Sequence, residues 1–155
     1  MTISRFDPGF RAGMRGVASL AWIAVCGPLL AQTSGETVVA AEDAGPIDVP
    51  SGQPVTPIDV ITDAAGPAGL TVRFRFLAPE IAPDASIGFD TATSDMAAIC
   101  ETYALPRLID ADPQPAQIII SMADRLVPFG QTDPDATQFF EAYRIEDGQC
   151  LWEMF

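Results

Sequence analysis

The chain contains no histidine. That excludes Ser-His-Asp and Cys-His nucleophilic catalysis, imidazole zinc ligation, and the side chain that usually serves as general base near neutral pH. There is no GxSxG elbow, no P-loop and no GxGxxG, so nucleophile-elbow hydrolases and the common nucleotide folds have no support. Cysteine is scarce: Cys26, Cys100 and Cys150 are far apart and form no C-x-x-C pair, which argues against a thiol oxidoreductase. Basic residues are also few. Eight arginines face 21 acids, for a net charge of −13. A surface of that sign repels phosphate backbones and anionic lipid, so nucleic acid is not an expected partner. It suits solubility, a basic partner or cation binding. No motif for a cofactor or a resident metal is present, and none is expected.

Residues 1–31 read as an export signal. Arg5, Arg11 and Arg15 precede an uncharged run of about 15 apolar residues, the build of a secretory leader and short for a membrane span. Cleavage falls after Ala31 or as late as position 41, where Val38 and Val39 make a better −3 residue than Leu29. A lipoprotein reading would need a small residue before Cys26, where Val25 stands. An uncleaved leader would anchor the chain to an inner membrane, but Gly27-Pro28 interrupts an already short helix. Residues 32–155 carry five arginines and twenty acids, a net of −15. The absence of any basic residue between Arg15 and Arg73 fits a positive-inside start followed by translocation. Export to a periplasm would place the mature chain where disulfides persist.

Residues 32–54 are small, acidic and rich in Pro and Gly, with little to bury, and read as a flexible tether. Pro46-Ile47-Asp48-Val49 recurs as Pro57-Ile58-Asp59-Val60, too little for a repeat architecture. A single domain is expected over 55–155. Pro57 restricts 55–62 to an edge strand or irregular lead-in, and Gly66-Pro67-Ala68-Gly69 makes a turn. Residues 70–77 alternate, with Thr71, Arg73 and Arg75 on one face and apolar groups on the other. A helix is predicted over 94–105. Thr93 or Ser94 caps it, Asp95 complements its positive end and Pro106 ends it. Met96, Ile99, Cys100 and Tyr103 then share an apolar stripe. The β-branched run at 117–122 reads as a central strand, and an acidic loop spans 128–136.

The chain closes in a hairpin, 138–146 and 149–155, about an Asp147-Gly148 turn. A two-residue loop pairs Glu146 with Gln149, Ile145 with Cys150, Tyr143 with Trp152 and Glu141 with Met154. Cys150, Ile145, Trp152, Tyr143, Met154 and Phe139 share one face, across which the helix should lie, bringing Cys100 over Cys150. That disulfide would close about 50 residues, and loop entropy alone makes it worth roughly 4 kcal/mol. The expected fold is α+β: an antiparallel sheet of about five strands with one helix on one face.

Arg73, Arg75 and Arg144 should project from the uncovered face, beside Phe140, Leu151 and Phe155. Such a basic and aromatic surface on an acidic molecule would grip a small anionic ligand or an acidic envelope partner; otherwise the arginines pair across strands with Glu153 and Glu146. Glu141 and Asp124 are the candidates for a carboxylate-based enzyme, Glu141 more simply a charge at the sheet's rim near Arg107 or Arg125. Asp133 and Asp135 offer at most a weak calcium site.

Residues 73–79 (RFRFLAP), 138–142 (QFFEA) and 150–153 (CLWE) resemble those of an uncharacterised family of small exported alphaproteobacterial proteins. The resemblance covers 55–155 and implies a Gram-negative envelope setting and a cysteine-bridged domain. It implies no activity. The leading expectation is therefore a non-enzymatic periplasmic interaction or ligand-binding module. A carboxylate-based exported enzyme is the alternative, and a structural envelope protein a third.

Overall fold

The computed structural model describes residues 36–41, 45–66 and 69–154. The leader with Arg5, Arg11, Arg15 and Cys26 lies outside these residues, as do Pro67, Ala68 and Phe155. Six strands form one sheet in sequence order: β1 Thr37–Ala40, β2 Thr56–Gly66, β3 Gly69–Leu77, β4 Gln117–Ala123, β5 Gln138–Glu146 and β6 Gln149–Glu153. The sheet is mixed, which corrects the expected antiparallel one. β3 and β4 run parallel, from Thr71 beside Gln117 to Leu77 beside Ala123, and the other four pairs are antiparallel. The cause is the connection. A chain that leaves β3, crosses the sheet as a helix and returns to its neighbour must return in the same direction. The Ile118-Ile119-Ile120 run is the corresponding sequence signal, since a strand flanked by crossover structure is buried on both faces. Ile118 and Ile120 are 0% exposed on one side and Ile119 8% on the other.

The stretch read as a tether contributes to the fold. Thr37 to Ala40 pair with Thr62 to Asp59 of β2, held by the backbone ladder rather than burial, since all four residues are exposed. Ile47 bridges to Val55, and Ile47 and Val49 pack against the core. β2 is consequently interior. Pro57 is tolerated because it stands beyond the end of β1, next to a bulge between Pro57 and Asp59.

The helix begins five residues before its predicted start. α1 spans Phe89–Ile99 from an extended Gly88, a π segment follows over Cys100–Ala104, and α2 spans Leu105–Leu108. Pro106 does not end it. The π segment restarts the ladder, so Pro106 falls in the first turn of α2, where no amide donor is needed. Met96, Ile99, Cys100 and Tyr103 are buried as one stripe. Tyr103 meets Phe74 and Phe76 edge-on, with ring centroids 6.1 and 5.5 Å apart.

The hairpin register is as expected from Glu146–Gln149 to Tyr143–Trp152. Asp147 (φ 52°) and Gly148 (φ 74°) both adopt the left-handed region that a two-residue turn of matching twist demands. The pair Glu141–Met154 does not form, because β6 stops at Glu153 opposite Ala142. Cys100 and Cys150 are disulfide-bonded, with Cα atoms 6.2 Å apart. The Cys150 amide, turned away from β5, donates to Glu101 at 2.7 Å, a second tie between helix and hairpin.

Candidate functional site

Arg73 and Arg75 alternate along β3 and project to the side opposite the helix, as expected. That face is not open along its length. The loop after β4 folds over it, so that Val127 is buried and Phe129 half-buried. Arg75 pins this loop. Its guanidinium donates to the Val127 carbonyl and to Asp59 on β2, at 3.2 Å, and sits 5.8 Å from the Phe129 ring centroid. Burial pushes the Asp59 carboxyl upward in pKa, and Arg75 partly offsets that rise. Only 11% of the Arg75 side chain and 13% of the Asp59 side chain remain exposed. Arg75 is thus largely committed to the protein itself.

Arg73 differs. It is half-buried beside Arg75, and among the described residues it forms no hydrogen bond or ion pair. The two arginines line a polar pocket of about 310 Å³, completed by Ser121 of β4, Gln131 and Thr132 of the loop, and Gln138 of β5. Arg144 shares the face but not the pocket. Its exposed side chain pairs with Glu146 at 2.7 Å, two positions along the same strand. The structure therefore brings together two of the three expected arginines. Glu153, read as a partner for them, instead accepts from Gln117 at 3.0 Å.

Glu141 is not at the rim. It lies 5% exposed on the helix side, accepting from the Thr93 hydroxyl at 3.1 Å and the Tyr143 hydroxyl at 2.6 Å. Burial and the neighbouring Glu141 push the Tyr143 hydroxyl well above the usual tyrosine range. Arg107 is elsewhere, stacked 3.5 Å over the Tyr103 ring, and Arg125 grips Asp124. Asp124, at the end of β4, is held below the usual carboxylate range, chiefly by the hydrogen bond from Arg125. Asp124 lines neither of the two recesses beside Glu141. Asp133 accepts from the Asp135 amide within a local turn, and among the described residues no cluster of three or more acidic or thiol ligands is placed to hold a metal.

Sequence reasoning missed Asp95. It is not a dipole partner at a helix start but a fully buried carboxyl within α1. It accepts from the Ser51 amide at 2.9 Å, the Ser51 hydroxyl at 2.6 Å and the Gln53 side-chain amide at 2.6 Å. The signal was spacing: with the helix starting at Phe89, Ala92, Asp95, Met96 and Ile99 form one i, i+3, i+4, i+7 stripe.

The model of a family of unknown function, DUF6497, matches residues 29–155. The chain belongs to that family. The DUF6497 match takes in all six strands, both bridged cysteines and the arginine pocket, and extends through most of the stretch read as a tether. No curated protein and no solved structure matches the chain. Among the described residues no helix is long and apolar enough to cross a membrane, and the disulfide is compatible with an exported chain.

Proposed function

We propose that this DUF6497 protein is a non-enzymatic binding module, exported to a periplasm, that takes a small anionic ligand in the pocket of Arg73 and Arg75. One observation carries the reading: a half-buried guanidinium, unpaired among the described residues, on a chain with 21 acids. In so acidic a molecule an arginine readily finds a carboxylate, as Arg75, Arg125 and Arg144 do. Leaving Arg73 unpaired in a concavity keeps a positive charge available in a setting of reduced dielectric. Ser121, Thr132, Gln131 and Gln138 supply hydroxyl and amide donors around it. A guanidinium with surrounding neutral donors is the arrangement that recognises a carboxylate or phosphate. The volume is at the lower end of small-molecule sites, so the ligand is small. An acidic protein partner is less favoured, because Arg144 is engaged outside the pocket.

Titration of the full chain with inorganic phosphate and with succinate, followed by calorimetry, tests the proposal. At least one should bind saturably, and Arg73→Gln should weaken it by about tenfold or more, as expected for loss of a charge-assisted contact. Arg144→Gln should leave binding unchanged. Absence of saturable binding by either anion, or equal binding by the Arg73 variant, would refute the reading.

A further inference from the structure

A second concavity lies on the helix side of the sheet, between the first turns of α1 and the terminal hairpin. Its volume is about 460 Å³, within the range of small-molecule sites. Phe89 and Trp152, each about half exposed, line its outer part, whereas Glu141 (5% exposed) and Tyr143 (2%) lie at its floor. Two large aromatic groups left in water beside one another mark an interaction site more than ordinary surface. Phe89 is also held in place, its ring edge-on to Phe139 at 5.3 Å.

The polar groups at the floor select a ligand class. The Thr93 hydroxyl donates to Glu141 Oε1 at 3.1 Å and the Tyr143 hydroxyl to Oε2 at 2.6 Å. Each oxygen is oriented by one hydroxyl and has a second lone pair with which to accept from a ligand. Burial and the adjacent Glu141 hold the Tyr143 hydroxyl well above the usual tyrosine range, so it stays a donor. Both donors are neutral, and among the described residues no arginine pairs with Glu141. The cleft and the smaller recess adjoining it are lined by acids alone among charged residues: Asp90, Glu141 and Glu153. A fixed carboxylate under aromatic walls complements a cation with an apolar body. Aromatic rings attract the same charge, and a partly water-excluded setting strengthens both interactions.

We infer that this cleft binds a small organic ammonium ion with an apolar body, its N–H groups donating to Glu141 and its apolar part lying between Phe89 and Trp152. Anions are excluded by the three acids. A second copy of the chain is disfavoured by the same charges, because a two-fold contact through the cleft would bring both sets of acids together. The depth of Glu141 favours a small ligand, since the acceptor is 5% exposed beneath half-exposed walls. The site is independent of the arginine pocket on the opposite face, and neither reading rests on the other.

The test uses full-length isotope-labelled protein, with the Trp152 indole N–H as reporter. Three probes share one ring and differ in their head group: 2-phenylethylamine, 2-phenylethanol and 3-phenylpropanoate. The amine should shift the reporter saturably and bind about tenfold or more tightly than the alcohol, and the carboxylate should bind more weakly than either. Glu141→Gln, which keeps side-chain shape and an acceptor oxygen, should remove the advantage of the amine while leaving the alcohol unaffected. Phe89→Ala, a substitution at an exposed position, should weaken both, and Arg73→Gln neither. Equal binding of amine and alcohol by the wild-type protein, or no saturable shift from the amine, would overturn the inference without recourse to any variant. Self-association in sedimentation that Trp152→Ala abolishes would overturn it too, by assigning the cleft to a second copy.

Discussion

Asp95 and Glu141 are both buried carboxyls on the helix side of the sheet, and their surroundings give them different work. Asp95 is surrounded by donors from one loop: the Ser51 amide, the Ser51 hydroxyl and the Gln53 side chain. It fastens residues 51–53 to α1 and so holds Val55, fully buried, in the core. Asp95→Ala would strand those donors away from water and should lower unfolding stability by about 2–4 kcal/mol in urea titration, with a smaller loss for Asp95→Asn. A neutral Ala variant would mean the loop is held by its apolar contacts alone. Glu141 has two hydroxyl donors, Thr93 and Tyr143, and an apolar cleft beside it. At this scale the sequence was least legible. Burial of an acid depends on where it falls along the helix: with the start placed at Ser94, Asp95 reads as a first-turn partner of the dipole, whereas from Phe89 it lies in the helix interior beside the buried stripe.

The elements were easier to read than their relations. The apolar stripe from Met96 to Tyr103, the β-branched run of β4 and the Asp147-Gly148 turn are periodic or stereochemical signals, which survive without knowledge of neighbours. The hairpin register followed from the turn, and the Cys100–Cys150 pairing followed from register and stripe together. Replacing both bridged cysteines by serine should cost roughly 4 kcal/mol of stability by the loop-entropy relation for a loop of this length. The check is the urea midpoint of wild-type protein with and without dithiothreitol, compared with that of the double variant. An unchanged midpoint on reduction would show that the hydrogen bond from Cys150 to Glu101 and helix packing suffice to hold the hairpin. Pro106 misled for a clear reason. Proline stops an uninterrupted α ladder, but the π segment at Cys100–Ala104 shifts the ladder before Pro106 is reached.

Across the molecule, burial is graded from centre to edge. β4 is buried at every residue but Ser121 and lies between the helix and the loop after it, whereas β1 exposes all four residues and holds on by backbone pairing. Native-state hydrogen exchange should accordingly show β4 amides as the slowest, opening only with global unfolding, and β1 amides as the fastest of the strands. Comparable protection in β1 and β4 would contradict this gradient. The same layering separates the two concavities. The parallel β3–β4 pair puts Arg73 and Arg75 beside Ser121 on one side, and the hairpin puts Glu141 and Trp152 under the helix on the other.

The sequence by itself determined what local chemistry can specify: the exclusion of histidine-based catalysis, the strands and helix as types of element, the hairpin register and the cysteine pairing. Tertiary structure alone decided which strand neighbours which, that β3 and β4 run parallel, and that among the described residues Arg73 stays unpaired while Arg75 and Arg144 find carboxylates. The physical reason is range. Periodicity, turn stereochemistry and composition act over a few residues, whereas charge pairing and burial depend on groups brought together from distant parts of the chain, as Arg75 meets Asp59 and Val127.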